Sequence, residues 1–176
     1  MEHKIIFTGP VGAGKTTAIS SISDIPVAKT EASASDEVVL RKSNTTVAMD
    51  YGVLNLEGNK KIHLYGTPGQ ERFSFMWDIL TVGGVGLVLM IDNARKDPLA
   101  DVEFFIHHFK DFISNNAVVI GVSRMDVSPR PGLFTIKKRL TELDYNVPVF
   151  EVDARNKQDI KILLIAMLAM LDPGIN

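Results

Sequence analysis

Short apolar, β-branched runs alternate along this chain with longer segments of helical period, a pattern that predicts an α/β sheet covered on both faces. The first run, Lys4 to Phe7, leads into a Gly-rich turn and a helix beginning near Gly14. From about Asp24 to Ser43 no period is evident, and Ser, Ala and Glu dominate. An irregular stretch of that length in a small domain is commonly functional, so it is the candidate switch loop. Two strands follow, Val47 to Leu56 and Lys60 to Tyr65, joined at Glu57-Gly58-Asn59 as a hairpin. A short helix from about Glu71 to Thr81 precedes Val85 to Ile91, whose unbroken apolar character suits a strand buried on both faces. Asp97-Pro98 reads as a cap and first helical position for a helix to about Phe112. Ala117 to Val122 is the next buried strand, and Pro131-Gly132 opens a helix to about Leu143. Val147 to Val152 is the last strand. A final helix is capped by Asn156 and stopped by Pro173-Gly174. Six strands and five helices result, in one domain over residues 1–176.

Composition narrows the function without choosing it. At 176 residues a single domain buries roughly 70% of the surface its unfolded chain exposes. The net charge of −2 and the lack of a basic face argue against nucleic acid, because Lys137, Lys138 and Arg139, the densest basic cluster, read as the solvated side of a helix. There is no cysteine, which removes disulfides and thiolate metal sites. The longest apolar run, Ile162 to Leu171, is about half of a bilayer span. Met1-Glu2-His3-Lys4 enters a strand directly, Glu2 stands where myristoylation needs Gly, and prenylation needs a cysteine. The expectation is a cytoplasmic chain with no direct membrane anchor.

Gly9-Pro10-Val11-Gly12-Ala13-Gly14-Lys15-Thr16 matches G-x-x-x-x-G-K-[ST] in full, with a strand before it and a helix after it. The glycines let the backbone curl so that successive N–H groups point at phosphate oxygens. The helix N-terminus adds partial positive charge there. Lys15 is placed to reach the β- and γ-phosphates, and the Thr16 hydroxyl to ligate Mg²⁺. Gly9, Val11, Gly12, Ala13, Gly14, Lys15, Thr16 and Thr17 are the expected phosphate contacts. The cradle alone does not separate GTPases from kinases or ATPases.

Gly66-Thr67-Pro68-Gly69-Gln70-Glu71-Arg72-Phe73 resembles the D-T-A-G-Q-E-R-F switch segment of the Ras-like small GTPase superfamily. The resemblance implies a three-layer P-loop (small G-protein) fold, with a six-stranded, mostly parallel sheet carrying one antiparallel edge strand. It also implies that Gly69 offers its backbone N–H to the γ-phosphate and that Gln70 orients the attacking water, so Gln70, Lys15 and Gly69 are the candidate catalytic residues. Ser123-Arg124-Met125-Asp126 resembles the guanine-reading N-K-x-D motif. Asp126 keeps the carboxylate that can accept from guanine N1–H and N2–H₂, Arg124 can stack on the base, and Ser123 replaces the amide that steadies the loop. Glu151-Val152-Asp153-Ala154-Arg155 is similar to E-T-S-A-K, which points to Ala154 and Arg155 as base contacts. Of Thr45-Thr46, the resemblance picks Thr46 as the second Mg²⁺ ligand and γ-phosphate sensor. The segments Thr45 to Gly52 and Gly66 to Phe73 look closest to a bacterial branch that includes the gliding-motility polarity GTPase and is likened to the signal-recognition-particle receptor β subunit. That branch implies GTP/GDP and Mg²⁺ as cofactors, and regulatory and effector proteins, including a Roadblock-type partner.

One position departs from the pattern. Gly66 stands where the superfamily has an Asp that holds Mg²⁺ through water. Asp92, ending the fourth predicted strand, approaches the same crevice, although capping its own turn is the plainer role. Slow intrinsic hydrolysis, accelerated by a partner, is the expectation. No cis arginine finger is evident in the sequence, and Arg41 in the irregular loop is the one arginine left open for that role. The crowd of Phe73, Phe75, Met76, Trp77, Ile79 and Leu80 on one short helix predicts that some are exposed as a docking surface, while His107 and His108 read as surface residues. The competing readings are a small-molecule kinase and a nucleotide-bound scaffold that hydrolyses little.

Overall fold

The computed structural model describes residues 2–32 and 47–171. In chain order the elements are β1 (Glu2–Thr8), α1 (Lys15–Ile22), β2 (Ala28–Ala32), β3 (Val47–Leu56), β4 (Lys60–Gly66), α2 (Ser74–Thr81), β5 (Gly86–Asp92), α3 (Pro98–His108), α4 (Lys110–Ile113), β6 (Ala117–Ser123), α5 (Leu133–Glu142), β7 (Val149–Glu151) and α6 (Lys157–Leu171). All strands join one sheet in the order β2-β3-β4-β1-β5-β6-β7. From β4 to β7 the pairings are parallel, and β3 runs antiparallel to both β2 and β4.

Alternation along each strand builds two cores. Ile5, Phe7, Val88, Met90 and Val119 face α1 and α6. Ile6, Leu87, Leu89, Ile91, Val118, Ile120 and Val122 face the opposite layer, which Trp77, Val102, Phe105, Ile136 and Leu140 complete. Both faces of β5 and β6 are buried along their whole length, which is why their sequences read as unbroken apolar runs. Each large side chain withdrawn from water in this way contributes about 1.5–3 kcal/mol. On α6 the spacing of Ile160, Leu163, Leu164 and Met167 lays one apolar stripe onto the sheet.

The expected caps are in place. The Asp97 carboxylate accepts from Ala100 N at 3.0 Å ahead of Pro98, and Asn156 accepts from Gln158 N at 2.9 Å. Gly58 and Asn59 both take positive φ in the hairpin turn. Three details differ from the sequence reading. The segment expected to be irregular from Asp24 contains β2, so β2 forms the sheet edge and the antiparallel strand lies one place in. The helix expected to reach Phe112 breaks at Phe109, whose backbone (φ −92°, ψ 12°) leaves the helical region while its ring stays stacked 5.8 Å from Trp77. Finally, β7 begins after Pro148, which has no N–H to donate to the ladder, although its carbonyl still accepts from Ile120 N. The Pro173-Gly174 stop lies outside the described residues, as do Arg41, Thr45 and Thr46. No helix among the described residues is long and apolar enough to cross a membrane.

Candidate nucleotide site

β1 has β4 on one side and β5 on the other, so connections leave its carboxyl end in opposite directions and open a crevice there. The Gly-rich loop fills the floor of that crevice. Gly9 has φ +139°, and a Cβ built on it would fall 2.1 Å from the Met90 carbonyl oxygen. Only glycine lets the loop pass this close to β5. Gly14, at φ +94°, ends the loop against Ala154, whose Cβ would lie 2.9 Å from a Cβ at position 14. This contact seats the phosphate loop on the loop after β7. At the start of α1 no side chain caps the helix and no acid stands in the first turn, which leaves the first N–H groups and the dipole available to an anion.

Lys15 is buried at 8% exposure, and its ammonium donates to the carbonyls of Gly9 (2.7 Å) and Pro10 (2.8 Å). Burial lowers its pKa to about 8, with the Asp50 charge opposing the shift and Arg95 adding to it. The Thr16 hydroxyl donates to the Asp50 carboxylate, which arrives from β3. Asp50 was not among the residues singled out in the sequence. A signal was available nonetheless, because counting back from the hairpin turn pairs Asp50 with Gly66 across the ladder.

The segment after β4 lies against this floor. Thr67 N donates to Phe7 O (2.9 Å), and its hydroxyl to that of Thr8 (2.9 Å), both side chains being buried. A Cβ at Gly69 would lie 2.6 Å from Val11 N and 2.8 Å from Lys15 Nζ, so the Gly69 backbone rests on the phosphate loop. Gln70 stands exposed at the entry to a 3₁₀ turn, Glu71–Phe73. The fully buried Trp77 donates its indole N–H to Pro68 O at 2.7 Å and stacks on Phe105 at 5.0 Å. One side chain thereby ties the Gly69 segment to α3. Phe75 and Ile79 point to solvent while Met76, Trp77 and Leu80 are core, dividing the apolar crowd as expected. His107 is exposed, but His108 is half-buried, its ring edge-on to Trp77 at 4.8 Å.

On the other side of the loop a cleft of ≈ 720 Å³ is lined by Gly12, Ala13, Gly14, Thr17, Ser123 to Val127, Glu151 to Arg155 and Asp159, a size suited to a small-molecule ligand. The base-contact candidates Ser123, Arg124, Asp126, Ala154 and Arg155 therefore all line one cleft. Ser123, which stands in place of the amide, is buried, and its hydroxyl lies 3.1 Å from Ala13 O and 3.2 Å from Ile91 O, its one proton available to either carbonyl. Arg124, at φ +59°, donates to Asp92 at 3.0 Å. The other Asp92 oxygen accepts from Ala94 N, so Asp92 caps its turn and holds Arg124. Arg155 forms a two-bond pair with Asp153, at 2.9 and 2.8 Å, which lowers the Asp153 pKa to about 2. A second cleft, of ≈ 490 Å³ between α3 and α5, is lined by Glu103, Arg139 and Glu142, which are already paired with one another.

Comparison with known proteins matches residues 28–172 to the family described as conserved hypothetical ATP binding protein. An uncharacterized protein of Methanocaldococcus jannaschii is 36% identical over 95 residues, 54% of this chain and 53% of that protein, so the match spans about half the length of that relative. The Ras-related protein RABE1e of Arabidopsis thaliana is 22% identical over 170 residues, covering 93% of this chain and 72% of its own. The GTP-binding nuclear protein GSP1 of Encephalitozoon cuniculi is 25% identical over 162 residues, 88% and 69% of the two chains. With its strand–loop–helix cradle and these matches, the chain is a P-loop nucleotide-binding protein related to the Ras-like small GTPases, and it belongs to the conserved hypothetical ATP binding protein family.

Proposed function

We propose that the chain is a cytoplasmic, Mg²⁺-dependent switch that binds GTP, hydrolyses it slowly and is regulated by a protein partner. The observation that carries this reading is the contact between Gly69 and the floor of the cradle, combined with the Trp77 tether. A segment lying on the phosphate loop and wired to α3 is placed to respond to the terminal phosphate and to pass the difference to the surface around Phe75 and Ile79.

In this reading the N–H groups of the loop and of the first turn of α1 hold the β-phosphate, and Lys15 leaves the Gly9 and Pro10 carbonyls to bind phosphate oxygens. Gly69 gives its N–H to the γ-phosphate. Gln70 orients a water that attacks the γ-phosphorus and breaks its bond to the bridging oxygen, giving GDP and inorganic phosphate. The oxygen donors beside the cradle, the Thr16 hydroxyl and the Asp50 carboxylate, suit Mg²⁺, which binds through one or two carboxylates together with phosphates. When bound, the ion neutralises charge on the β- and γ-phosphate oxygens. Thr46 is proposed as the further ligand.

Guanine is favoured in this reading because Asp126, one of the carboxylates lining the cleft beside the phosphate loop, stands at the motif position whose carboxylate can accept from N1–H and N2–H₂. The family description favours a second reading, ATP. Competition between GTP and ATP for a fluorescent guanine nucleotide separates the two, and single-turnover hydrolysis with product analysis separates a switch from a scaffold. Preference for GTP with slow release of phosphate supports the proposal. Preference for ATP overturns the base assignment, and transfer of phosphate to an acceptor other than water overturns the switch in favour of a kinase.

A further inference from the structure

The superfamily's metal-holding carboxylate is missing from position 66, and the structure supplies a carboxylate at the same place from the neighbouring strand. Asp50 on β3 and Gly66 on β4 are directly opposed in the antiparallel ladder, so their side-chain positions share one face of the sheet and lie within cross-strand contact distance. That face is the one packed on α1, since a Cβ at Gly66 would also touch Ile19 Cδ1 at 3.1 Å. From there the Asp50 carboxylate accepts the hydroxyl proton of Thr16, the residue whose oxygen the cradle motif assigns to the ion.

We propose that Asp50 is the carboxylate that holds the metal ion beside Thr16, and that Gly66 is the vacancy that lets it do so. This inference rests on reading the cradle as a Mg²⁺–nucleotide site.

The two positions crowd each other. A Cβ at residue 66 would lie 3.1 Å from Asp50 Cβ and 3.2 Å from Asp50 Oδ2, closer than carbon and oxygen tolerate without displacement. A second carboxylate there would also set two like charges side by side. The other acid near the crevice is already engaged, because Asp92 uses one oxygen on Ala94 N and the other on Arg124. Among the described residues no group of three or more His, Asp or Glu forms a ready-made metal cage. A single carboxylate with one hydroxyl matches an ion that arrives with phosphates and keeps several waters.

The test uses the full chain loaded with a fluorescent GDP analogue, and its readout is the ratio of nucleotide release rates in EDTA and in excess Mg²⁺. The wild type is expected to release more slowly with Mg²⁺. Asp50→Asn, which keeps an acceptor for Thr16 but removes the charge, is expected to shrink that ratio about tenfold or more. The transfer variant Asp50→Gly/Gly66→Asp moves the carboxylate across the ladder and is expected to recover most of the ratio, which also keeps the test valid should Asp50→Asn fold poorly. Binding of Mn²⁺ followed by electron paramagnetic resonance in the presence of GDP should rank the three proteins in the same order. An unchanged ratio in Asp50→Asn overturns the role of Asp50 while leaving the nucleotide reading intact. Loss of the ratio without recovery in the transfer variant also overturns it, since the charge would then act through something other than the ion. A wild type that binds no guanine nucleotide in either condition overturns both.

Discussion

Lys15 offers a quantitative test of the cradle, because burial has moved its pKa in a direction that costs stability when the site is empty. A free lysine titrates at 10.5 and Lys15 at about 8. Because the folded value is depressed, the folded protein binds fewer protons than the unfolded one between these two pH values, and stability rises with pH across that window. Below pH 8 the whole penalty is present, about 3 kcal/mol from the difference in pKa. That is a large share of the about 5–15 kcal/mol that holds a domain together. Lys15→Met keeps the stem and discards the charge. It also forfeits the bonds to Gly9 O and Pro10 O, about 1 kcal/mol each, so at neutral pH the nucleotide-free variant should exceed the wild type by about 1 kcal/mol. The advantage should vanish near about pH 9 and turn into a deficit of about 2 kcal/mol as the pH approaches 10.5, where only the lost bonds remain. Nucleotide affinity should move the opposite way. Phosphates favour the ammonium, so the complexed lysine titrates above 8, and wild-type affinity falls about tenfold per pH unit above that point. Urea denaturation of the nucleotide-free proteins and calorimetric titration with Mg·GDP, both from about pH 7 to 9.5, measure the two trends. A wild-type-minus-variant stability difference that does not change with pH, or an affinity flat across the range, would refute the reasoning.

Other perturbations probe the walls of the site. Trp77→Phe removes the indole N–H that holds Pro68 O and part of a fully buried ring, and should cost about 2–4 kcal/mol in urea denaturation; a loss below about 1 kcal/mol would mean that the tether is not formed. Because Trp77 is the sole tryptophan of the chain, wild-type fluorescence should differ between the GDP and GTP-analogue complexes, and an identical spectrum would count against a Gly69 segment that responds to the γ-phosphate. Ser123→Ala removes the one hydroxyl donor that lies between Ala13 O and Ile91 O and should lower stability by about 1 kcal/mol, with Ser123→Thr retaining most of it in thermal melts. Asp126→Asn should cut the preference for GTP over ATP by about tenfold or more in competition binding, whereas an unchanged ratio would move base recognition elsewhere.

How much of this was legible in the sequence depended on the range of the interaction. The buried strands β5 and β6 and the phosphate loop are dictated locally, by unbroken apolar runs and by glycines whose φ values other residues rarely adopt. The cap at Asp97 and the hairpin at Gly58-Asn59 are equally local. What escaped are decisions made across the sheet. β2 has little pattern of its own and exists because β3 offers it an edge. The bend at Phe109 is set by packing against Trp77 from another helix. The contact of the Ser123 hydroxyl is of the same kind, because a motif describes side chains in sequence while this hydroxyl reaches the Ala13 carbonyl on a different loop. Asp50 belongs to no motif and is marked only by its register directly opposite Gly66 on the next strand. The ladder register needed to find it was countable from the hairpin turn.

The claim on which the rest depends is that the loop from Gly9 to Thr16 grips phosphate. Calorimetric titration of the purified full chain with GDP and with guanosine, each in excess Mg²⁺ at neutral pH, isolates that grip because the two ligands differ only in their phosphates. The account predicts that GDP binds about a thousandfold or more tightly than guanosine, a gap of about 4 kcal/mol, and that the gap collapses in Lys15→Met. Equal affinity for the two ligands, or no binding of GDP, would contradict it.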